Sequence, residues 1–219
     1  MVKEDSWLDS AHLARMNSTD DNVEWHPLKP FLPKRGEILF LGSFPPQRKR
    51  WCMDFYYPNF INDHWRIEGE VFYGDKQHFV DQKHKTFRLD DIVSHCEKYG
   101  IGFFDTATAV RRLKDNASDK YLEVVEQTDV AALVAQMPML KAIVVTGEKA
   151  AETICQRMGI AHVPKVNSHI MLPLQVELYR LPSSSRAYPL AFEKKAAAYR
   201  MMFQRYLSKP LLYYDVVIY

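Results

Sequence analysis

Four runs of mostly apolar residues divide the chain, and each has the length of a β-strand. They cover residues 38–42, 101–105, 142–147 and 176–181. Apolar residues in succession, without apolar–polar alternation, are typical of strands buried on both faces, as in parallel sheets. The pattern therefore predicts four central strands that other elements cover on both sides.

Between these runs, apolar residues recur at the spacing of an α-helix. Gly100 stands where a helix would end, and Asp129 is a typical residue to begin one. Strands that alternate with helices predict a three-layer α/β/α fold around a central, mostly parallel four-stranded sheet. The predicted helices cover residues 89–99, 129–137, 148–158 and 190–207.

The domain organisation follows from chain length and composition. Residues 1–35 are polar and interrupted by prolines, which predicts an irregular lead-in packed on the domain. Residues 36–219 are expected to form one domain, because a chain of 219 residues suits one well-buried core. The last residues, 210–219, are apolar for a chain end, and both an edge strand and an oligomer contact fit them.

Composition excludes several classes of protein. Hydrophobic residues make up 47% of the chain and charged residues 26%, which argues against disorder. No run approaches the roughly 20 apolar residues of a membrane-spanning helix, and the first residues do not resemble a secretory signal. Cys52, Cys96 and Cys155 are too few and too widely spaced for a disulfide framework, so we expect a cytoplasmic protein. No histidine or cysteine spacing indicates a metal site.

The segment after the first strand is rich in groups that recognise nucleobases. Rings stack on a base, amides read its hydrogen-bonding edge, and cations hold phosphates. Each ring can equally close the core beneath the loop, and the basic run can be a solvated loop. The groups are the rings Trp51, Phe55, Tyr56, Tyr57, Phe60 and Trp65, the cations Arg48, Lys49 and Arg50, and the amides Asn59 and Asn62.

Two further loops follow predicted strands at the same edge of the sheet, where ligands bind in parallel α/β folds. Residues 181–189 combine hydroxyls, an arginine and backbone amides near a helix start, which suits phosphate contacts. An ordinary helix-entry turn has the same composition. Asp105 ends the second strand and either binds or activates a group in the cleft, or caps the next turn.

In order and position, these motifs resemble the uracil-DNA glycosylase superfamily. Within it, the pattern is most similar to the branch related to hypoxanthine-DNA glycosylases and, further off, to mismatch-specific thymine/uracil glycosylases. The resemblance extends from about Gly36 to Leu207. It rests on Gly42-Ser43-Phe44-Pro45 after a strand, Tyr56-Tyr57, Asn62 three residues before Trp65, and Leu181-Pro182-Ser183 with Ser185 after a late strand.

The resemblance implies a DNA glycosylase that removes a deaminated or mispaired base by base flipping. Three cysteines are too few for the four-thiolate iron–sulfur cluster of some members, so we expect no cluster, metal or other cofactor. Phe44 stands where most members have the Asp or Asn that positions the attacking water, and Asn62 is the implied substitute. Asp105 is the second catalytic candidate. Implied base-binding residues are Gly42, Ser43, Phe44, Phe55, Tyr56, Tyr57 and Asn59, and the implied phosphate and minor-groove loop is Pro182, Ser183, Ser184, Ser185 and Arg186, with Arg48, Lys49 and Arg50 as a basic loop.

Two departures from the superfamily pattern leave other functions open. Phe44 cannot polarise water, and Leu181 replaces a histidine that stabilises the departing base in many members. A non-catalytic nucleic-acid-binding relative therefore remains a second hypothesis. An enzyme that acts on free nucleosides or nucleotides is a third, because a fold does not dictate a substrate.

Overall fold

The computed structural model describes residues 22–113 and 121–211, and a sheet of five strands runs through its centre. These strands lie in the order β5-β2-β8-β10-β9. The described strands are β1 (Val23–Trp25), β2 (Ile38–Gly42), β3 (Val80–Asp81), β4 (Thr86–Phe87), β5 (Ile101–Asp105), β6 (Ala107–Arg112), β7 (Leu122–Gln127), β8 (Ala142–Thr146), β9 (Ser168–Met171) and β10 (Glu177–Leu181).

The predicted α/β fold with a mostly parallel sheet is confirmed, but the predicted number of four strands is wrong. Strands β5, β2, β8 and β10 are parallel and coincide with the four apolar runs. The fifth strand, β9, pairs antiparallel with β10 at the edge of the sheet. Its residues alternate between half-buried and exposed, so it lacks the continuous apolar run by which the other four were found.

Helices cover both faces of the central sheet. The ring of Phe40 in β2 contacts Tyr199 and Phe203 on one face. On the other face, Gly102 of β5 lies against the side chains of Leu39 and Met137. The described helices are α1 (His64–Tyr73), α2 (Leu89–Tyr99), α3 (Val130–Ala135), α4 (Glu148–Arg157) and α5 (Phe192–Tyr206), with a short 3-10 turn at Arg48–Arg50.

Local signals fixed the helix ends well. Helix α2 has the predicted bounds, and Gly100 ends it with a left-handed backbone at φ 70°. The carboxylate of Asp129 accepts a hydrogen bond from the backbone N–H of Ala132 at the start of α3. The other helices are each shorter than predicted by a residue or more, because their terminal residues belong to caps and turns.

Helix α1 was not predicted. Residues 64–69 are all buried, including a histidine, an arginine and a glutamate. A helix buried around most of its circumference has no clear apolar stripe, which is the sequence signal of a surface helix. The sequence therefore indicates an aromatic-rich loop here, whereas the structure has a helix.

A smaller antiparallel sheet also escaped prediction. Strand β6 follows β5 after one residue and lies between β1 and β7. Strand β1 belongs to the predicted lead-in, and Phe31 of the same segment exchanges two backbone hydrogen bonds of 2.9 Å with Phe103. The described part of the lead-in, residues 22–35, thus lies against both sheets.

Parts of the predicted terminal segments, residues 1–21 and 212–219, lie outside the described residues. Within the two described ranges, no helix has the length and apolar character to span a bilayer. The same ranges contain no group of three or more histidine, cysteine or carboxylate side chains arranged to hold a metal ion.

Candidate active site

A cleft of about 1130 Å³ opens at the carboxyl ends of the four parallel strands. The last residues of these strands line it: Gly42, Asp105, Thr146 and Leu181. Because parallel strands all end at one edge, loops that are far apart in the sequence meet there. Of the residues predicted for the site, the cleft is lined by Gly42, Ser43, Phe44, Arg50, Phe55, Tyr56, Tyr57, Asn59, Asn62, Asp105, Pro182, Ser183, Ser184, Ser185 and Arg186.

The predicted basic loop contributes only one of its three cations to the cleft. Arg48 and Lys49 are exposed and do not line the cleft. Arg48 forms an ion pair with Asp54 and lies over the ring of Trp51, 4.5 Å from its centroid. Arg50 does line the cleft, and its buried Nε has no hydrogen-bond partner among the described residues.

Phe44 is part of the wall of the cleft. Its side chain is 8% exposed and packs in a small apolar cluster with Ala107, Val110 and Leu122. The rings of Phe44 and His26 meet edge to face with centroids 5.4 Å apart. The third residue of the Gly-Ser-Phe-Pro motif therefore supports the second sheet and presents no polar group to a substrate.

A carboxylate lies close to this wall. Asp105 is paired in register with Gly42 across β5 and β2, and a Cβ on Gly42 would collide with its Oδ1. The Nε2 of His26 lies 2.8 Å from Oδ2 of Asp105, with both side chains buried. His26 was missed from the sequence, because it stands 79 residues from its partner and belongs to no motif.

Asn62 is held by the start of helix α1. Its Oδ1 accepts a hydrogen bond of 2.9 Å from the backbone N–H of His64, and its own N–H donates to the carbonyl of Asn59 at 2.8 Å. Asn59 in turn accepts a hydrogen bond from the N–H of Ile61 through its side chain. Asn62 therefore has a fixed position on the cleft wall, and among the described residues its Nδ2 group has no partner.

Two of the predicted base-binding rings are largely core residues. Phe55 is 8% exposed and Tyr56 is 4% exposed. The hydroxyl of Tyr56 donates to the carbonyl of Lys29 at 2.8 Å, and its ring stacks on Phe103. Burial raises the pKa of the Tyr56 hydroxyl, so this group stays neutral. Both rings form the floor of the cleft and expose only small parts of their surface.

Tyr57 differs from its two neighbours because it is half-buried and its backbone is left-handed, with φ 50°. Its ring lies parallel to that of His64, with the centroids 3.7 Å apart. Its hydroxyl shares a hydrogen bond of 2.8 Å with Oγ1 of Thr146, across the cleft floor. Contacts on two sides of the ring thus hold Tyr57 in a backbone conformation that a non-glycine residue rarely adopts.

A fully buried glutamate lies under this aromatic layer. Oε2 of Glu68 lies 2.8 Å from Nε2 of His95, whose Nδ1 shares a hydrogen bond with the hydroxyl of Tyr73. Oε1 lies 2.9 Å from Nε2 of His64, at ion-pair distance. Burial opposes ionisation of Glu68, but the two imidazoles outweigh it and lower its pKa to about 2. Burial lowers the pKa of His64.

The serine-rich loop is tied to the aromatic-rich loop. The N–H of Asp63 donates to the carbonyl of Ser184 at 3.1 Å, and Nε of Arg186 donates to Oδ1 of Asp63 at 2.8 Å. The buried amine of Lys195 donates to the carbonyl of Ser185 at 2.7 Å, and burial lowers its pKa. The two loops therefore form one continuous wall, and the half-exposed side chain of Arg186 stands on it.

Positive side chains outnumber negative ones along the cleft. Its walls include five cations and three carboxylates within the described residues. Three of the cations have a carboxylate partner, because Arg112 binds Glu24, Arg186 binds Asp63, and Arg180 lies 3.7 Å from Glu148. The cations are Arg50, Arg112, Lys149, Arg180 and Arg186, and the carboxylates are Asp105, Glu148 and Glu152.

Comparison with solved structures supports the fold assignment. The chain is similar to the solution NMR structure of a "putative Uracil DNA glycosylase" from Methanosarcina acetivorans, with a TM-score of 0.56 and 24% sequence identity. The match covers 84% of this chain and 98% of that one. A scan against protein-family models found no match, and neither did a search of curated proteins. The likeness shows that the two chains share a fold, as the sequence motifs implied.

Proposed function

We propose that this protein is a monofunctional DNA glycosylase that hydrolyses the N-glycosidic bond of a deaminated or mispaired base. The observation that carries the proposal is the meeting of the two predicted loops and Asp105 in one cleft at the carboxyl ends of the parallel strands. The structural relative from Methanosarcina acetivorans, described as a "putative Uracil DNA glycosylase", supports the same reaction class.

The size and charge of the cleft favour a nucleic-acid substrate over a free nucleoside. Its volume of about 1130 Å³ exceeds the roughly 300–1,000 Å³ typical of small-molecule pockets. Arg50 and Arg186 line the cleft from two different loops, from which they can contact phosphates on either side of an extruded nucleotide. A base enters such a cleft most easily when its pairing is already weakened, which favours mismatched or deaminated bases.

The reaction requires groups that face both the sugar and the base. When the bond breaks, positive charge develops on the sugar and negative charge on the departing base. Asp105 supplies a carboxylate that can take a proton from the attacking water, in place of the side chain that Phe44 lacks. Asn62 presents an amide from the opposite loop, which can orient the water or hold the base edge. The roles of both residues are part of the proposal.

The test is to incubate the protein with oligonucleotides that carry uracil, hypoxanthine, xanthine or a G·T mismatch, and to score abasic sites by alkaline strand cleavage. We expect wild-type protein to act on at least one of them. Asn62→Ala should lower the single-turnover rate by about 100-fold or more, the scale of a lost proton-transfer or positioning group. Asn22→Ala is the matched control, because Asn22 is exposed and does not line the cleft.

A second variant separates the chemical role of Asn62 from its structural contact with helix α1. Asn62→Asp keeps the acceptor for the His64 N–H, so it should preserve the thermal midpoint while removing the amide donor. Binding of lesion-containing DNA without any cleavage would contradict the proposal and favour a non-catalytic binding protein. Absence of DNA binding even at low salt, where phosphate contacts are strongest, would contradict it in favour of a small-molecule substrate.

A further inference from the structure

His26 is a buried polar side chain that neither a motif nor the predicted site accounts for. It is 8% exposed, and its ring is enclosed by Phe44, Phe104 and Tyr56. Its Nε2 faces Oδ2 of Asp105 at 2.8 Å. A buried imidazole placed against a buried carboxylate that lines a cleft is an arrangement that orients acids and bases in many active sites.

The backbone of Leu28 fixes the other side of the ring. The carbonyl of Leu28 lies 2.9 Å from Nδ1 of His26, and its N–H lies 3.2 Å from the same atom. Nδ1 can therefore accept a hydrogen bond from the N–H of Leu28 or donate one to its carbonyl. Both contacts hold the ring in the same orientation, with Nε2 directed at Asp105.

Asp105 is held from several directions. Its backbone carbonyl accepts a hydrogen bond of 2.6 Å from the hydroxyl of Thr128. With Oδ2 occupied by His26, Oδ1 lies beside Gly42, where the missing Cβ leaves room for it. Asp105 lines the cleft, whereas His26 does not.

We propose that His26 is a positioning residue for the glycosidic hydrolysis, and that it directs Oδ1 of Asp105 toward the attacking water. This inference rests on the proposed function. In the step, the water oxygen forms a bond to C1′ of the sugar and one water proton passes to Oδ1. The bond from C1′ to the base nitrogen breaks, and its electron pair leaves with the base. The base then takes up one proton. When Oδ1 of Asp105 donates that proton, the Asp105 carboxylate is restored.

The test compares four variants with wild type in two measurements, the single-turnover rate and the dissociation constant for lesion-containing DNA. His26→Ala should lower the rate roughly 10- to 100-fold, the loss typical of a misplaced catalytic group, while the dissociation constant changes less than about threefold. His26→Gln places an amide donor near the position of Nε2 and should recover most of the rate. The other two variants are Asp105→Asn and the double variant.

Coupling between the two residues gives the sharpest outcome. The double variant His26→Ala/Asp105→Asn should be no slower than Asp105→Asn alone, because His26 acts only through Asp105. His84→Gln is the matched control, since His84 forms a similar pair with Asp81 at 2.7 Å on the surface, outside the cleft. Its rate should equal that of wild type.

The possible failures are distinguishable. If wild type is active and both His26 variants keep its rate, the inference is overturned while the proposed function stands. In another outcome, His26→Ala and His26→Gln lose the same fraction of the rate, with a lowered thermal midpoint, and regain the wild-type rate at temperatures below that midpoint. This result assigns His26 a structural role and also overturns the inference. Additive losses in the double variant do so as well. A wild-type protein that cleaves no substrate overturns the proposed function and the inference together.

Discussion

Replacement of Glu68 by glutamine tests whether the buried charge beneath the cleft stabilises the fold. The carboxylate is inaccessible to solvent, and the imidazoles of His64 and His95 approach its two oxygens at 2.9 and 2.8 Å. Glutamine has nearly the same shape but carries no charge. Its amide group would also direct two N–H hydrogens toward Nε2 of His64 or of His95, where wild type has a carboxylate oxygen.

The expected magnitude follows from the pKa of Glu68, which is about 2 in the folded protein against an ordinary value of 4.5. At about 1.4 kcal/mol per pH unit, this difference corresponds to about 3 kcal/mol of the free energy of unfolding. Because the folded-state pKa is the lower one, this stabilisation is present above pH 4.5 and is lost as the pH falls toward 2. Removal of one partner from a buried pair has an effect of similar size, about 3–5 kcal/mol.

The assay is urea unfolding followed by tryptophan fluorescence, at pH 7 and at pH 3. At pH 7, Glu68→Gln should unfold with about 3 kcal/mol less free energy than wild type, and at pH 3 the difference should fall to about half. Glu97→Gln is the matched control, because Glu97 is an exposed residue of α2, and it should change the free energy by less than about 0.5 kcal/mol. A Glu68→Gln protein within 0.5 kcal/mol of wild type at pH 7 would refute the reasoning, as would a difference that does not shrink at pH 3.

Three further predictions concern the cleft and its supports. Gly42→Ala places a Cβ against Oδ1 of Asp105, so the single-turnover rate should fall about 10-fold or more; an unchanged rate would show that the carboxylate position does not matter. Arg186→Gln should weaken DNA binding equally for all sequences and reduce the slope of log affinity against log salt by about 1. A slope that stays the same would exclude Arg186 from phosphate contact. Asp129→Ala removes the side-chain cap on the N–H of Ala132 and should lower the free energy of unfolding by about 1 kcal/mol in urea, and no change would mean that water replaces the cap.

Much of the fold can be predicted from local sequence signals. The four parallel strands were visible because each is a short apolar run buried on both faces, and α2 ended at Gly100 because only a left-handed residue fits there. The two loops of the candidate site were found because each follows one of these strands. Strand β9 and helix α1 were missed, since the edge strand has no continuous apolar run and the mostly buried helix has no distinct apolar stripe.

Contacts at long sequence separation were decided by tertiary structure alone. Asp105 meets His26 across 79 residues, and Asp63 meets Arg186 across 123 residues. The position of the 3-10 turn also decided which member of the basic run reaches the cleft. Arg50 lines the cleft, whereas Arg48 and Lys49 do not.

The sequence by itself determined the four parallel strands, most helices and the edge of the sheet where the loops converge, because apolar runs, helical periodicity and capping act over a few neighbouring residues. Only the tertiary structure decided which polar groups pair within that edge. Such pairs depend on strand register and on the packing of distant segments. This packing placed His26 against Asp105 and buried Phe44 in the wall of the cleft.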